Sequence, residues 1–127
     1  MRRMIWVTAV VLALALGACG VSRQYVLDFT VRARHLRSEA VLAMDEGRVQ
    51  RAEVVLVELA TLLTEREEWL EIFCDHGDLH QIKAELIDAQ AAIEFGIEDD
   101  FYQAISRFGE MLDHIAGVEE LRLTNLA

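Results

Sequence analysis

Residues 101–118 read FYQAISRFGEMLDHIAGV. Their apolar side chains Phe101, Ala104, Phe108, Met111, Ile115 and Val118 recur at alternating steps of three and four. Such steps place every one of them on a single face of an α-helix. Moving back along the chain, the same pattern returns three times. Leu79, Ile82, Leu86, Ala89 and Ile93 form one stripe. Ala52, Val55, Leu59, Leu62, Trp69 and Phe73 form another, interrupted by Arg66. Val26, Phe29, Ala33, Leu36, Ala40 and Ala43 form the first. No window alternates as a strand would, and the chain has no proline. A period near 3.5 suits antiparallel helices packed in the manner of a coiled coil. The expected fold is therefore all-α, an antiparallel four-helix bundle made of two helical hairpins.

Breaks in the pattern set the helix limits. Gly47, Gly77 and Gly96 each follow a periodic run, where a left-handed cap favours glycine. Asp78 precedes Gln81 by three residues and Asp100 precedes Gln103 by three, a variant of the capping box. These signals predict helices near 24–46, 48–76, 79–95 and 100–120, with connections short enough to force antiparallel neighbours. Ala43 and Gly47 are spaced as Ala92 and Gly96 are, which suggests two related hairpins.

The N-terminus has a different character. Met1-Arg2-Arg3 is basic, and Met4 to Leu16 is almost wholly apolar. This order, closed by small residues, is that of an export signal. Leu16-Gly17-Ala18-Cys19 resembles the bacterial lipobox. The resemblance implies lipid transfer to the Cys19 sulfur and cleavage after Ala18. The expected organisation is a signal peptide at 1–18, a lipid-anchored linker at 19–23 and a four-helix domain at 24–127. The alternative is an uncleaved anchor, since the 18 residues from Met4 to Val21 just suffice to span a bilayer, which takes about 17–25. Either anchor leaves the body on the extracytoplasmic side of the cell membrane, with Arg2 and Arg3 held inside.

Charge narrows the function classes. The whole chain carries 12 basic and 22 acidic side chains. Loss of residues 1–18 leaves 10 basic against 22 acidic, a net of −12. Nucleic acid is thereby an unsuitable partner, because phosphates demand basic patches. Four arginines, from Arg23 to Arg37, lie close to the anchor, where anionic headgroups would attract them.

Reactive signatures are absent from the sequence. There is no Gly-x-Ser-x-Gly, no Cys-x-x-Cys and no glycine loop for phosphate. His76 and His80 have the i, i+4 spacing of metal ligands, with Cys74, Asp75 and Asp78 close by. Gly77 lies between them and no second ligand pair exists, since His35 and His114 are isolated. No metal and no cofactor is expected, and His76 reads as a residue at the core edge. Cys74 reads as a small apolar residue beside Phe73. Asp99-Asp100, Glu67-Glu68 and Glu119-Glu120 are adjacent on helices and so diverge. The first of these pairs suits a helix N-terminus. Trp69, Phe73, Phe95, Phe101, Tyr102 and Phe108 are core candidates that would also serve to line a groove.

The order Trp69, His76, Ile82, Leu86, Ile93, a glycine–acid turn, Ala104, Leu112, Glu119 and Leu123-Thr124-Asn125-Leu126 resembles a family of small bacterial membrane-associated proteins. The family is common in Gram-positive spore-formers and is known only as a domain of unknown function. The likeness covers roughly residues 40–126. It implies a helical extracytoplasmic domain behind a membrane segment, and no activity. Two features depart from it: Cys19 in place of a plain anchor, and Ala127 in place of a bulkier apolar end. The expectation is a non-enzymatic, membrane-tethered module that binds an envelope protein. The alternative is a sensor of a small ligand or cation, with a pocket among Trp69, Phe73, His76 and Phe101.

Overall fold

The computed structural model describes residues 2–126, with side-chain detail for 2–21 and 24–117. Four helices follow one another: α1 Arg2–Asp45, α2 Val49–Phe73, α3 His76–Phe95 and α4 Glu98–Leu126. Among the described residues there is no strand. Each helix packs on two neighbours. α1 lies against α2 and α4, and α3 lies against α2 and α4, so the helices close a ring without diagonal contacts among the described residues. The closest pairings are α1 with α2 and α3 with α4, the two expected hairpins.

The core is the set of stripes removed from water together. Phe29 from α1, Leu56, Leu59 and Leu70 from α2, Ile82 from α3, and Phe101, Ile105, Phe108 and Leu112 from α4 are fully buried. Burial of such side chains supplies about 1.5–3 kcal/mol each. The stripes of α1, α3 and α4 run as the spacing predicts, with Leu36 and Met111 only half buried; Val118 lies outside the side chains described. The stripe of α2 differs. Leu70 is buried where Trp69 was expected, and Trp69 is 54 % exposed. The reason lies in Arg66, which occupies the α1–α2 seam. Its guanidinium sits 4.8 Å from the Tyr25 ring and 3.0 Å from the Asp28 carboxylate. Trp69 continues along this seam, 5.9 Å from Tyr25, and so lies at the bundle's rim.

Both far-end turns are built alike. Gly47 and Gly96 adopt φ values of 76° and 72°, which cost a side-chain-bearing residue roughly 1–2 kcal/mol. The Arg48 amide donates to the Ala43 carbonyl at 2.8 Å, and the Ile97 amide donates to Ala92 at 2.9 Å. These are matching Schellman caps, so the Ala–Gly repeat of the sequence is a repeat of structure.

The near-end turn departs from expectation. α2 stops at Phe73, three residues early, and α3 starts at His76. Gly77 ends no helix; it lies in the first turn of α3. Cys74 is extended, and Asp75 is the N-cap, its carboxylate accepting from the Gly77 amide at 3.5 Å. Asp78 stands in the first turn rather than at the cap. Likewise α4 starts at Glu98, which places Glu98, Asp99 and Asp100 together in its first turn, where the helix dipole favours acids.

Charged and polar groups bridge all four seams. Asp28 meets Arg66 between α1 and α2, and Glu67 meets Lys83 between α2 and α3. Glu85, nearly buried, accepts from Arg107 at 2.8 Å between α3 and α4. Between α1 and α4, Arg34 meets Asp113 at 2.8 Å, and Arg37 Nε donates to the Ile105 carbonyl at 2.8 Å. Arg37 reaches that carbonyl because Gly109 has no side chain; a Cβ there would lie 2.6 Å from Nε.

α1 differs from the others in length. Its 44 residues extend about 66 Å, more than twice the length of α3. Residues 2–21 project past the bundle, exposed throughout, and the helix runs unbroken through Gly17 and Gly20. This stretch is apolar and long enough to cross a bilayer.

The Arg37–Gly109 contact gives a test. Ala in place of Gly within a helix is worth about 1 kcal/mol. In an Arg37→Ala background, Gly109→Ala should therefore raise the unfolding free energy by about that amount. With Arg37 present, the new methyl displaces the guanidinium from Ile105, and a hydrogen bond from a charged group is worth about 1.5–3 kcal/mol. Denaturant unfolding of the four variants should show the gain cancelled or reversed, a coupling of at least about 1 kcal/mol.

Candidate functional site

Antiparallel packing puts two clusters at opposite ends. The near end, from which the apolar half of α1 projects, carries the α2–α3 turn. The far end carries the two glycine turns. Some 30 Å, the length of α3, separates them.

Of the residues expected to share a pocket, three lie at the near end. Trp69 stacks on Phe73 with ring centroids 6.3 Å apart, and His76 opens α3. Phe101 lies at the far end in the first turns of α4, fully buried and edge-on to Tyr102. The structure therefore does not bring the four together. α2 and α4 both begin at the far end, but Trp69 and Phe73 close α2 at the near end whereas Phe101 opens α4. His76 is exposed rather than at the core edge, because the helix break falls at Cys74 and Asp75, before it.

His80 is exposed as well, and His114 Nε2 lies 3.4 Å from Asp78. Among the described residues no three His, Cys, Asp or Glu side chains converge to hold a metal ion. Cys74 is half buried and packs on the core beside Phe73, as a small apolar residue would. Cys19 is exposed on the projecting half of α1. Of the acidic pairs, Glu67 binds Lys83 while Glu68 faces water, and Asp99-Asp100 sit at the start of α4. Glu119-Glu120 fall outside the side chains described.

The far end holds a groove of which the sequence had named only Phe95 as a candidate, there as a core residue that would also serve to line a groove. The structure leaves Phe95 out of the core because it lies off the buried stripe of α3 that ends at Ile93. The groove lies between α3 and α4, has a volume near 350 Å³, and is lined by Asp88, Phe95, Ile97, Asp100, Gln103 and Arg107 among others. Phe95 is 74 % exposed, an unusual placing for a phenylalanine. Arg107 is held by Glu85 first, and by Asp88 and Asp100 beyond it, all of which strengthen its hold on its proton. With Arg107 engaged by Glu85, the outward character of the groove is apolar and acidic. A cue existed in the sequence: Phe95 and Ile97 flank Gly96, off the stripe that ends at Ile93. Beside the groove, Tyr102 donates to Asp45 Oδ1 at 2.6 Å and ties the start of α4 to the end of α1.

Residues 21–126 match a family described as a domain of unknown function, DUF4363. The chain belongs to this family. The match takes in the whole bundle of this DUF4363 protein and begins just where the projecting apolar half of α1 ends. It starts earlier than the resemblance, which covered roughly residues 40–126, so the bundle half of α1 is part of the domain. A comparison with curated proteins found no match to the chain.

Tyr102 supplies a pH test. The hydrogen bond to Asp45, with some burial and the Asp45 charge, pushes the phenol from 10.0 up to about 12. A raised value means that the folded state holds the proton more tightly. The contribution to stability is thus complete below pH 10 and disappears as pH rises to about 12. Spectrophotometric titration should show a late-ionising phenol that Tyr102→Phe removes. Unfolding experiments should show that the same variant loses less stability than the parent over that interval.

Proposed function

We propose that this DUF4363 protein is a non-enzymatic helical module, tethered to the cell membrane and facing the extracytoplasmic side, which holds its far-end groove toward an envelope protein. One observation carries the reading. Twenty apolar-rich residues at the start of α1 contribute nothing to the described core and stand exposed, a state that water penalises and a bilayer does not. The basic Met1-Arg2-Arg3 start and the lipobox-like Leu16-Gly17-Ala18-Cys19 favour an exported chain whose lipid joins at Cys19. Two or three acyl chains anchor a protein stably where one would not.

The groove favours a partner of complementary chemistry. Phe95 and Ile97 offer apolar contact, and Asp88 and Asp100 offer negative charge. A basic amphipathic helix from an envelope protein meets both requirements.

Acyl labelling and precursor size test the tether. Cys19→Ala should abolish labelling and leave a longer chain; an unlabelled parent of unchanged size would overturn the lipid anchor. A photocrosslinker at Phe95 tests the partner. It should yield one discrete adduct in intact cells, lost when Asp88 and Asp100 become lysine and kept when the exposed Glu58 does. Adducts equally abundant from both variants would count against the groove.

A further inference from the structure

We propose that the near end of the bundle, Trp69 with Ile72 and Phe73, seats in the headgroup layer of the bilayer that the start of α1 engages. The inference rests on the tether reading above and adds a second, non-covalent membrane contact made by the folded domain itself.

The register between α1 and α2 carries the argument. Trp69 stands opposite Tyr25, and Arg66 opposite Asp28. Three residues backward on one helix match three forward on the other, as antiparallel helices of equal rise require. Continued by four residues, this register sets Phe73 level with Val21. α2 ends there, and Cys19 lies only about 3 Å further along α1. The α2–α3 turn thus stands at the height where the apolar stretch Met4–Val21 ends. A bilayer that takes in that stretch reaches its surface there. Acyl chains on Cys19 would bring the surface to the same height.

The side chains at this height suit that layer. Trp69 is 54 % exposed and Ile72 is 69 % exposed, both large apolar groups at the rim of an otherwise acidic surface. Tyr25, Trp69 and Phe73 form a continuous aromatic run, with Arg66 over the Tyr25 ring. Tryptophan and tyrosine favour the membrane–water boundary, where the ring is apolar and one edge remains wet. Glu68, Glu71 and Asp75 are exposed around them, which limits the depth to the headgroups and keeps the turn out of the acyl chains.

The chain has two tryptophans, Trp6 and Trp69, so Trp6→Phe leaves Trp69 as the sole emitter. The full chain with this substitution, purified from membranes, would be reconstituted in phosphatidylcholine vesicles and floated on a density gradient. Flotation reports the tether. Quenching of Trp69 by phosphatidylcholine brominated high on its acyl chains, with a blue-shifted emission, reports the seat. Ile72→Asp should float equally and lose most of that quenching. A protein that floats while Trp69 stays open to aqueous iodide overturns the seat and leaves the tether standing. A protein that fails to float overturns both.

Discussion

Four apolar stripes leave water together in this bundle, and every other feature is arranged around that burial. Phe29, Leu56, Ile82, Phe101 and Phe108 are fully buried along the length of the core, each supplying on the order of 2 kcal/mol by its removal from water. The ion pairs along the seams are partly exposed, and such pairs supply about 0–1 kcal/mol. Energy therefore comes from the stripes. What the seam contacts supply is discrimination: each pairs helices at one height and leaves a charge unpaired at any other.

α1 belongs to two environments. Its second half contributes Val26, Phe29, Ala33 and Ala40 to the core. Its first half is apolar along most of its length and, among the described residues, is exposed rather than packed on the bundle. Because the helix is continuous, the height of the bundle relative to the apolar half is set by the packing of α1 on α2. A shift of one turn in that seam would lift or sink the α2–α3 turn by about 5 Å. The Asp28–Arg66–Tyr25 cluster, which occupies that seam, thus couples internal packing to the placing of the whole domain.

Much of the fold was legible because it follows from period and punctuation. The core positions of α1, α3 and α4 came from steps of three and four, and Gly47 and Gly96 proved to be true left-handed caps. Errors arose where two local signals competed. At the end of α2 a 3.5-residue period allows either Trp69 or Leu70 to point inward, and the placing of Arg66 in the seam decides for Leu70. At the near-end turn, glycine suggested a stop at Gly77, but a carboxylate at Asp75 able to cap the next helix moved the break earlier. His76 changed from edge to surface as a direct result.

The candidate sites were less legible for a different reason. Proximity between Trp69 and Tyr25, or between Phe95 and Asp100, belongs to the packing of one helix on another. Periodicity shows which face of a helix is apolar, and says nothing about the height of its neighbour. The amino-acid order by itself determined four amphipathic helices, their antiparallel sense, two glycine turns and an apolar start, because each depends on contacts within a few residues. Only the tertiary structure decided the register of the seams, the separation of Phe101 from Trp69, the groove at Phe95 and the aromatic rim at the near end. These depend on side chains up to seventy-nine positions apart, such as Arg34 and Asp113, meeting in one geometry.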